Sequence, residues 1–316
     1  LTALTVSGGT YTHGSDTLTT SSTLLVSGGT FNGGSAAIDA NAGVTISSGT
    51  LSATMGNFNI AGAFTHTAGG TFTHNSGTVI FDGSAATINV ATSEIFGSVQ
   101  FNKTAGQATT VSSGDTLIVT GVLTFTESTV NTGTLEAREG VTVASTYDGG
   151  TARLKFGGSA TQSFDLTGAT GLYNGDIDVD KSGGQVNLAS ALVMDATGQD
   201  LTIIEGDMHT AGQDFTFNGP SSHFIMQSGG NFILQGGETF TFAPFTQAFF
   251  PGSTVTFLGN DDDVGDLYTI TSFATDYDDV VINSADGAVD IFALGTDVTM
   301  SNFTLTSGTF DVGDGL

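Results

Sequence analysis

The chain has 316 residues, with 46 Gly, 3 Pro, no Cys, no Trp, and 5 Lys plus Arg against 31 Asp plus Glu, giving a formal net charge of -26. That charge repels phosphate backbones and anionic headgroups, which disfavours nucleic-acid partners and polybasic membrane docking; the lack of Cys removes disulfides, thiolate catalysis and Cys-based metal sites. A hydrophobic content of 38%, including 24 Phe, is too high for a disordered linker, so the Ser/Thr/Gly-rich remainder is the surface of a folded protein.

The first predicted elements repeat. Residues 4–14 read LTVSGGTYTHG, residues 24–34 read LLVSGGTFNGG and residues 44–54 read VTISSGTLSAT. At a period of twenty, Leu4, Leu24 and Val44 align, as do Val6, Val26 and Ile46, then Gly9, Gly29 and Gly49, then Tyr11, Phe31 and Leu51. Leu18, Ile38 and Phe58 form a further apolar column. The register then slips by one residue, because GGTFTHN at 69–75 matches GGTYTHG at 8–14. Apolar residues alternate with Thr or Ser inside each period, the mark of strands that bury one face. Gly, Ser, Asn and Asp between them supply corners with positive φ. Strand, corner, strand and corner in about twenty residues is one coil of a parallel β-solenoid, whose aligned columns stack at the inter-strand spacing of ~4.8 Å.

A looser repeat follows. GTVIFDGSAATINV at 77–90 resembles TARLKFGGSATQSFDL at 151–166 and STVTFLGNDDDVGDLYTI at 253–270, placing Val79, Leu154 and Val255 in equivalent phrases. The predicted organisation is therefore regular twenty-residue coils over 1–76 and further repeat units over 77–150, 151–252 and 253–316, the last partial, in one continuous rod. No helix of length is expected. The alternative fold is a tandem of antiparallel β-sandwiches, since short strands with frequent turn signals also mark that class.

Candidate chemistry is sparse. Asp176, Asp178 and Asp180 alternate with Ile177 and Val179, Asp261, Asp262, Asp263 and Asp266 sit among glycines, and TDYDDV at 275–280 is a further acidic run. Hard oxygen ligands of this kind suit Ca²⁺, whereas the plainer reading is a solvated strand face and solvated loops. His13, His66 and His74 recur as YTHG, FTHT and FTHN, which suggests a stacked corner position rather than a ligand set. The run 239–252 gathers Phe240, Phe242, Phe245, Phe249 and Phe250 with Pro244 and Pro251; Phe249 and Phe250 cannot both point inward from one strand, so one of them seals a corner or meets a partner. Asn102-Lys-Thr and Asn302-Phe-Thr fit the N-glycosylation sequon. Basic side chains are limited to Lys103, Arg138, Arg153, Lys155 and Lys181 plus five His, a poor supply for polysaccharide-lyase chemistry. No catalytic, cofactor or metal residue is assigned and the chain is not expected to be an enzyme.

The phrases SGGTF, SSGTL, GTVIFDGSA, GGSATQSFDLTGATGLYNGDIDVDKSGG and LTSGTF resemble the Ser/Thr/Gly-rich β-solenoid repeats of large bacterial surface proteins, including autotransporter passengers and filamentous-haemagglutinin-like adhesins. The resemblance implies an extracellular or cell-surface role, structural or adhesive, with no cofactor. The Thr-x-Thr strands also resemble the hydroxyl ladders of ice-binding solenoids, although the phrases TFT and LTFT do not recur at one fixed column. The chain starts at Leu1 without an initiator Met and both ends lie inside the repeat idiom, so it reads as a slice of something longer or as a subunit that stacks head to tail. The expected function is a structural subunit of an extracellular filament or surface stalk. An adhesin that binds glycans or surfaces, with Ca²⁺ as a bridging ion, is the alternative, and a polysaccharide-active enzyme is third.

Overall fold

The computed structural model describes residues 1–169, 171, 173–243, 246–270, 276–287 and 289–312. Among them there is no helix: parallel strands stack as a β-solenoid of about 13 turns, about 23 residues apart. The solenoid expectation holds and the sandwich alternative does not, and the coil grows beyond the twenty residues of the opening repeats. The chain divides into two compact units, Leu1–Lys155 and Phe156–Leu316.

In the first unit the coils open with β1 (Leu4–Thr12), β2 (Leu18–Thr20), β3 (Leu24–Asn32), β4 (Ile38–Ala40), β5 (Val44–Ser52) and β6 (Asn57–Ile60). The aligned columns of the sequence are the paired residues of the structure: Leu4 on Leu24 on Val44, Tyr11 on Phe31 on Leu51, and Leu18 on Ile38 on Phe58, all parallel. The long strands β1, β3 and β5 bend midway, with register shifts between Val6 and Thr10 and at the matching places above. Glycine makes the bend. Gly9, Gly29 and Gly49 have φ of 67°, 65° and 74°, and a Cβ on Gly29 would lie 2.3 Å from the Gly9 carbonyl oxygen. The repeated Ser-Gly-Gly-Thr phrase is thus a corner that must be both left-handed and bare so that the next coil can sit on it.

Later coils separate into β7 (Phe64–His66), β8 (Gly70–Thr73) and β9 (Thr78–Phe81); β10 (Ala86–Asn89), β11 (Ser93–Phe96) and β12 (Ser98–Asn102); and β13 (Ala108–Val111), β14 (Thr116–Val119), β15 (Leu123–Asn131) and β16 (Thr134–Ala137). Inward residues form continuous columns. Phe81, Phe101 and Phe125, all 0% exposed, stack with ring centroids 5.5 and 5.6 Å apart. Burying each such side chain contributes roughly 1.5–3 kcal/mol, so every coil is stabilised chiefly by its neighbours.

The second unit follows the same rule. Its bent strand Ile177–Leu188 pairs with Leu201–His209, placing Ile177 on Leu201, Val179 on Ile203 and Val186 on Met208. Phe215 and Phe217 lie under Phe240 and Phe242 at 5.1 and 5.7 Å. Phe249 packs against Phe224 and Tyr277 while Phe250 is 51% exposed. Strand geometry therefore resolves the aromatic pair as expected, one ring in and one out; Pro244 and Phe245 lie outside the described residues. In the strand Met300–Ser307, Phe303 and Leu305 pair with the core residues Val280 and Ile282 yet are 39% and 46% exposed.

Candidate functional site

The acidic motifs are structural stitches. Ile177 and Val179 are fully buried, as their alternation predicts, but Asp178 is only 8% exposed rather than standing on a solvated face. Asp176 Oδ1 accepts the Asp200 N–H at 3.0 Å. In the loop after Gly259, Asp286 accepts the N–H groups of Asp262 and Asp263 from the neighbouring coil at 3.3 and 3.2 Å, and Asp290 accepts that of Asp266 at 3.1 Å. Asn260 donates to both Asp262 and Asp266. These carboxylates satisfy the backbone donors of irregular corners. Among the described residues no group of three or more His, Asp or Glu side chains is arranged to hold a metal; Thr275 of the TDYDDV motif lies outside those residues.

The histidines do not share one position. His13 and His74 lie at corners, just past Thr12 and Thr73, the latter paired with Ser52, and His74 Nδ1 accepts the Ser76 N–H at 2.9 Å. His66 instead pairs with Ile46 and points into the core column. There it meets Glu94, another inward residue, which pairs with Leu117 and is 7% exposed. Burial outweighs the attraction of the imidazole and pushes the Glu94 carboxyl above the ordinary carboxylate range. The sequence hid this pair because FTHT imitates the corner phrase while sitting on a different side of the coil.

Two of the basic residues, Lys103 and Lys181, are likewise absorbed into the fold. Lys103, 2% exposed, donates to the carbonyls of Ala61 and Asp82 at 3.2 and 2.5 Å, and desolvation lowers its pKa to about 8 against the pull of the Asp82 carboxylate. Lys181, 1% exposed, donates to the Ala160 carbonyl and Gln162 Oε1 at 2.7 and 2.5 Å. Arg138 pairs with Glu136 at 2.8 Å.

What remains for recognition is the outer surface. On the side of the first unit formed by the second halves of β1, β3 and β5 and by β8, Thr10 pairs with Thr30, Thr30 with Thr50 and Thr50 with Thr71. Beside them run Thr12, Asn32, Ser52 and Thr73, also in register. The first of these columns is Thr in all four coils, whereas the second is Thr only at its two ends, so Thr-x-Thr itself does not recur at one fixed column. The single Thr column is hard to read in the sequence because the inward residue after it changes from Tyr11 to Phe31, Leu51 and Phe72. Next to this face lies a shallow groove of about 460 Å³ bordered by Asn32, Gly33, Gly34, Ser52, Met55 and Asn75. With Ser76 its border carries two amides and two hydroxyls with one thioether, and no charge. Among the described residues no helix is long and apolar enough to cross a membrane.

Comparison with protein-family models, curated protein sequences and solved structures gives no match to this chain. The fold and the surface chemistry are the basis for a functional reading.

Proposed function

We propose that this protein is a structural subunit of an extracellular filament or cell-surface stalk, joined end to end through the strand edges of its solenoid. The observation that carries this reading is the strand Met300–Ser307: its Phe303 and Leu305 continue the core column of Val280 and Ile282 but remain exposed, so a further coil would bury them and extend the parallel ladder. The Ser/Thr/Gly-rich idiom and the scarcity of accessible Lys and Arg support a surface location. A contact of this kind is heterologous and propagates rather than closes. Copies carrying a net charge of -26 repel one another, so assembly should strengthen with salt. Electron microscopy and fibre diffraction of the purified chain at rising concentration and ionic strength test the proposal. Uniform fibres with a meridional reflection near ~4.8 Å are expected; particles that stay single under all conditions would overturn it.

The groove beside Asn32 and Asn75 favours a second reading, an adhesin whose neutral amide and hydroxyl groups bind surface glycans. Saturable binding to a glycan array by particles that never join would support that reading instead.

A further inference from the structure

In the second unit an apolar patch stands in solvent beside a run of carboxylates. We propose that it is the docking surface for a cationic polypeptide segment of another protein, one that carries apolar side chains beside its Lys or Arg. The patch is built from two neighbouring coils. Leu267 opens the strand Leu267–Ile270 and pairs with Ile291, which opens the strand Ile291–Leu294. The residues that follow them, Tyr268 and Phe292, are buried and stack at 5.2 Å, so Leu267 and Ile291 face outward. Val264 precedes the first strand and Val289 the second, and a Cβ on Gly265 would lie 3.5 Å from the Val289 Cβ, which sets the two lead-in segments side by side. Val264, Leu267, Val289 and Ile291 are 57%, 67%, 49% and 38% exposed. Single apolar side chains on a surface are ordinary, whereas four from adjoining coils mark an interaction site.

The loop that presents Val264 is fixed before any partner arrives. Asp262 Oδ1 accepts the Val264 N–H at 2.9 Å, the Asp286 carboxylate holds the Asp262 and Asp263 N–H groups, and Asp263 sits at a φ of 60°. A non-glycine residue adopts that conformation at a cost. A surface ordered in advance gives up little entropy on binding.

Charge selects the occupant. Asp261, Asp262 and Asp263 are exposed beside the patch, and Asp261 and Asp263 have no side-chain hydrogen bond or ion pair among the described residues. Residues 182–316 contain no Lys or Arg, so the positive charge has to come from the partner. An anionic bilayer or a nucleic acid is repelled. A second copy of this chain brings the same negative field and little free positive charge, since Lys103 and Lys181 are buried and Arg138 and Lys155 already face Glu136 at 2.8 and 3.8 Å. A Lys or Arg lays its methylene stem on Leu267 and Ile291 and reaches the carboxylates with its head, while neighbouring apolar side chains cover the valines. The contact is separate from end-to-end assembly. The strand Thr309–Asp311 already pairs with Ile291–Leu294, and a coil added beyond it lengthens the ladder without covering these outward side chains.

The test uses the full chain and two fluorescent synthetic peptides of equal length and charge, one alternating Lys with Leu and one alternating Lys with Ser, in anisotropy titrations at physiological ionic strength. Wild-type protein is expected to bind the Lys-Leu peptide at least tenfold more tightly than the Lys-Ser peptide. Val264→Ser/Leu267→Ser/Ile291→Ser should abolish that preference, and Asp261→Asn/Asp263→Asn should weaken the binding of both peptides. Val122→Ser, at an exposed apolar residue of the first unit, should change neither. Circular dichroism confirms that each variant is folded; if the triple variant is not, Leu267→Ser, at the most exposed of the four positions, decides in the same way. Absence of peptide binding, equal affinity for the two peptides, or an undiminished preference in the folded patch variant would each overturn the proposal. So would self-association that the patch variant abolishes, or binding to phosphatidylcholine vesicles in place of the peptide.

Discussion

At the scale of the residue, the corner glycines differ in ways that their shared phrase conceals. Gly9 and Gly29 have nearly the same φ, but a Cβ at Gly9 meets nothing within 4 Å whereas one at Gly29 would overlap the coil beside it. Gly9→Ala should therefore cost about 1 kcal/mol, the backbone penalty alone, and Gly29→Ala about 2–4 kcal/mol, since the coils must part to admit it. Urea-unfolding midpoints of the two variants check the ranking; equal midpoints would mean that stacking does not constrain the corner. His66 and Glu94 pose the opposite case, two ionisable groups in columns otherwise filled by Ile46 and Leu117. Removing one partner should destabilise by about 3–5 kcal/mol, while His66→Val/Glu94→Leu together should be neutral or stabilising. Because the folded carboxyl of Glu94 titrates above its unfolded value, the folded state holds its proton longer. Stability from this group is greatest at low pH and declines as pH rises through the window above the ordinary carboxylate value. Glu94→Gln should flatten that decline in melting temperature measured from pH 4 to 7, and an unchanged slope would assign it elsewhere.

At the scale of the element, the strands were legible because one face of each must be apolar and each coil must match the last. The twenty-residue alignment of Val6, Val26 and Ile46 is the ladder itself. Less legible were residues whose local phrase and coil position disagree. His66 looks like His13 and His74 in sequence, but it pairs with Ile46, a correspondence that only three-dimensional register reveals. Asp178 alternates like an exposed residue and is nevertheless buried. The outer Thr column was equally hard to see, since inward residues dominate any alignment by hydrophobicity and the outward column emerges only once Tyr11, Phe31, Leu51 and Phe72 are superposed.

At the scale of the whole molecule, charge and sequence composition act together. With 5 Lys plus Arg in 316 residues, and Lys103 and Lys181 buried at 2% and 1% exposure, few sites are open to trypsin-like proteases. Arg138 stands out, its side chain 42% exposed just beyond the end of β16. Limited trypsinolysis of the native protein followed by intact-mass analysis should give a first cut after Arg138 and sparing of the bonds after Lys103 and Lys181. Early cleavage at either lysine would mean that its coil opens readily. The parallel stacking of coils about 23 residues apart also bears on how such a chain reaches its fold. Each ladder closes a loop of one coil and no more, so the entropic cost of adding the next is the same however long the chain has become. A chain delivered from one end, by a ribosome or through a pore, can therefore zip up vectorially, every finished coil serving as the template on which the next residues settle.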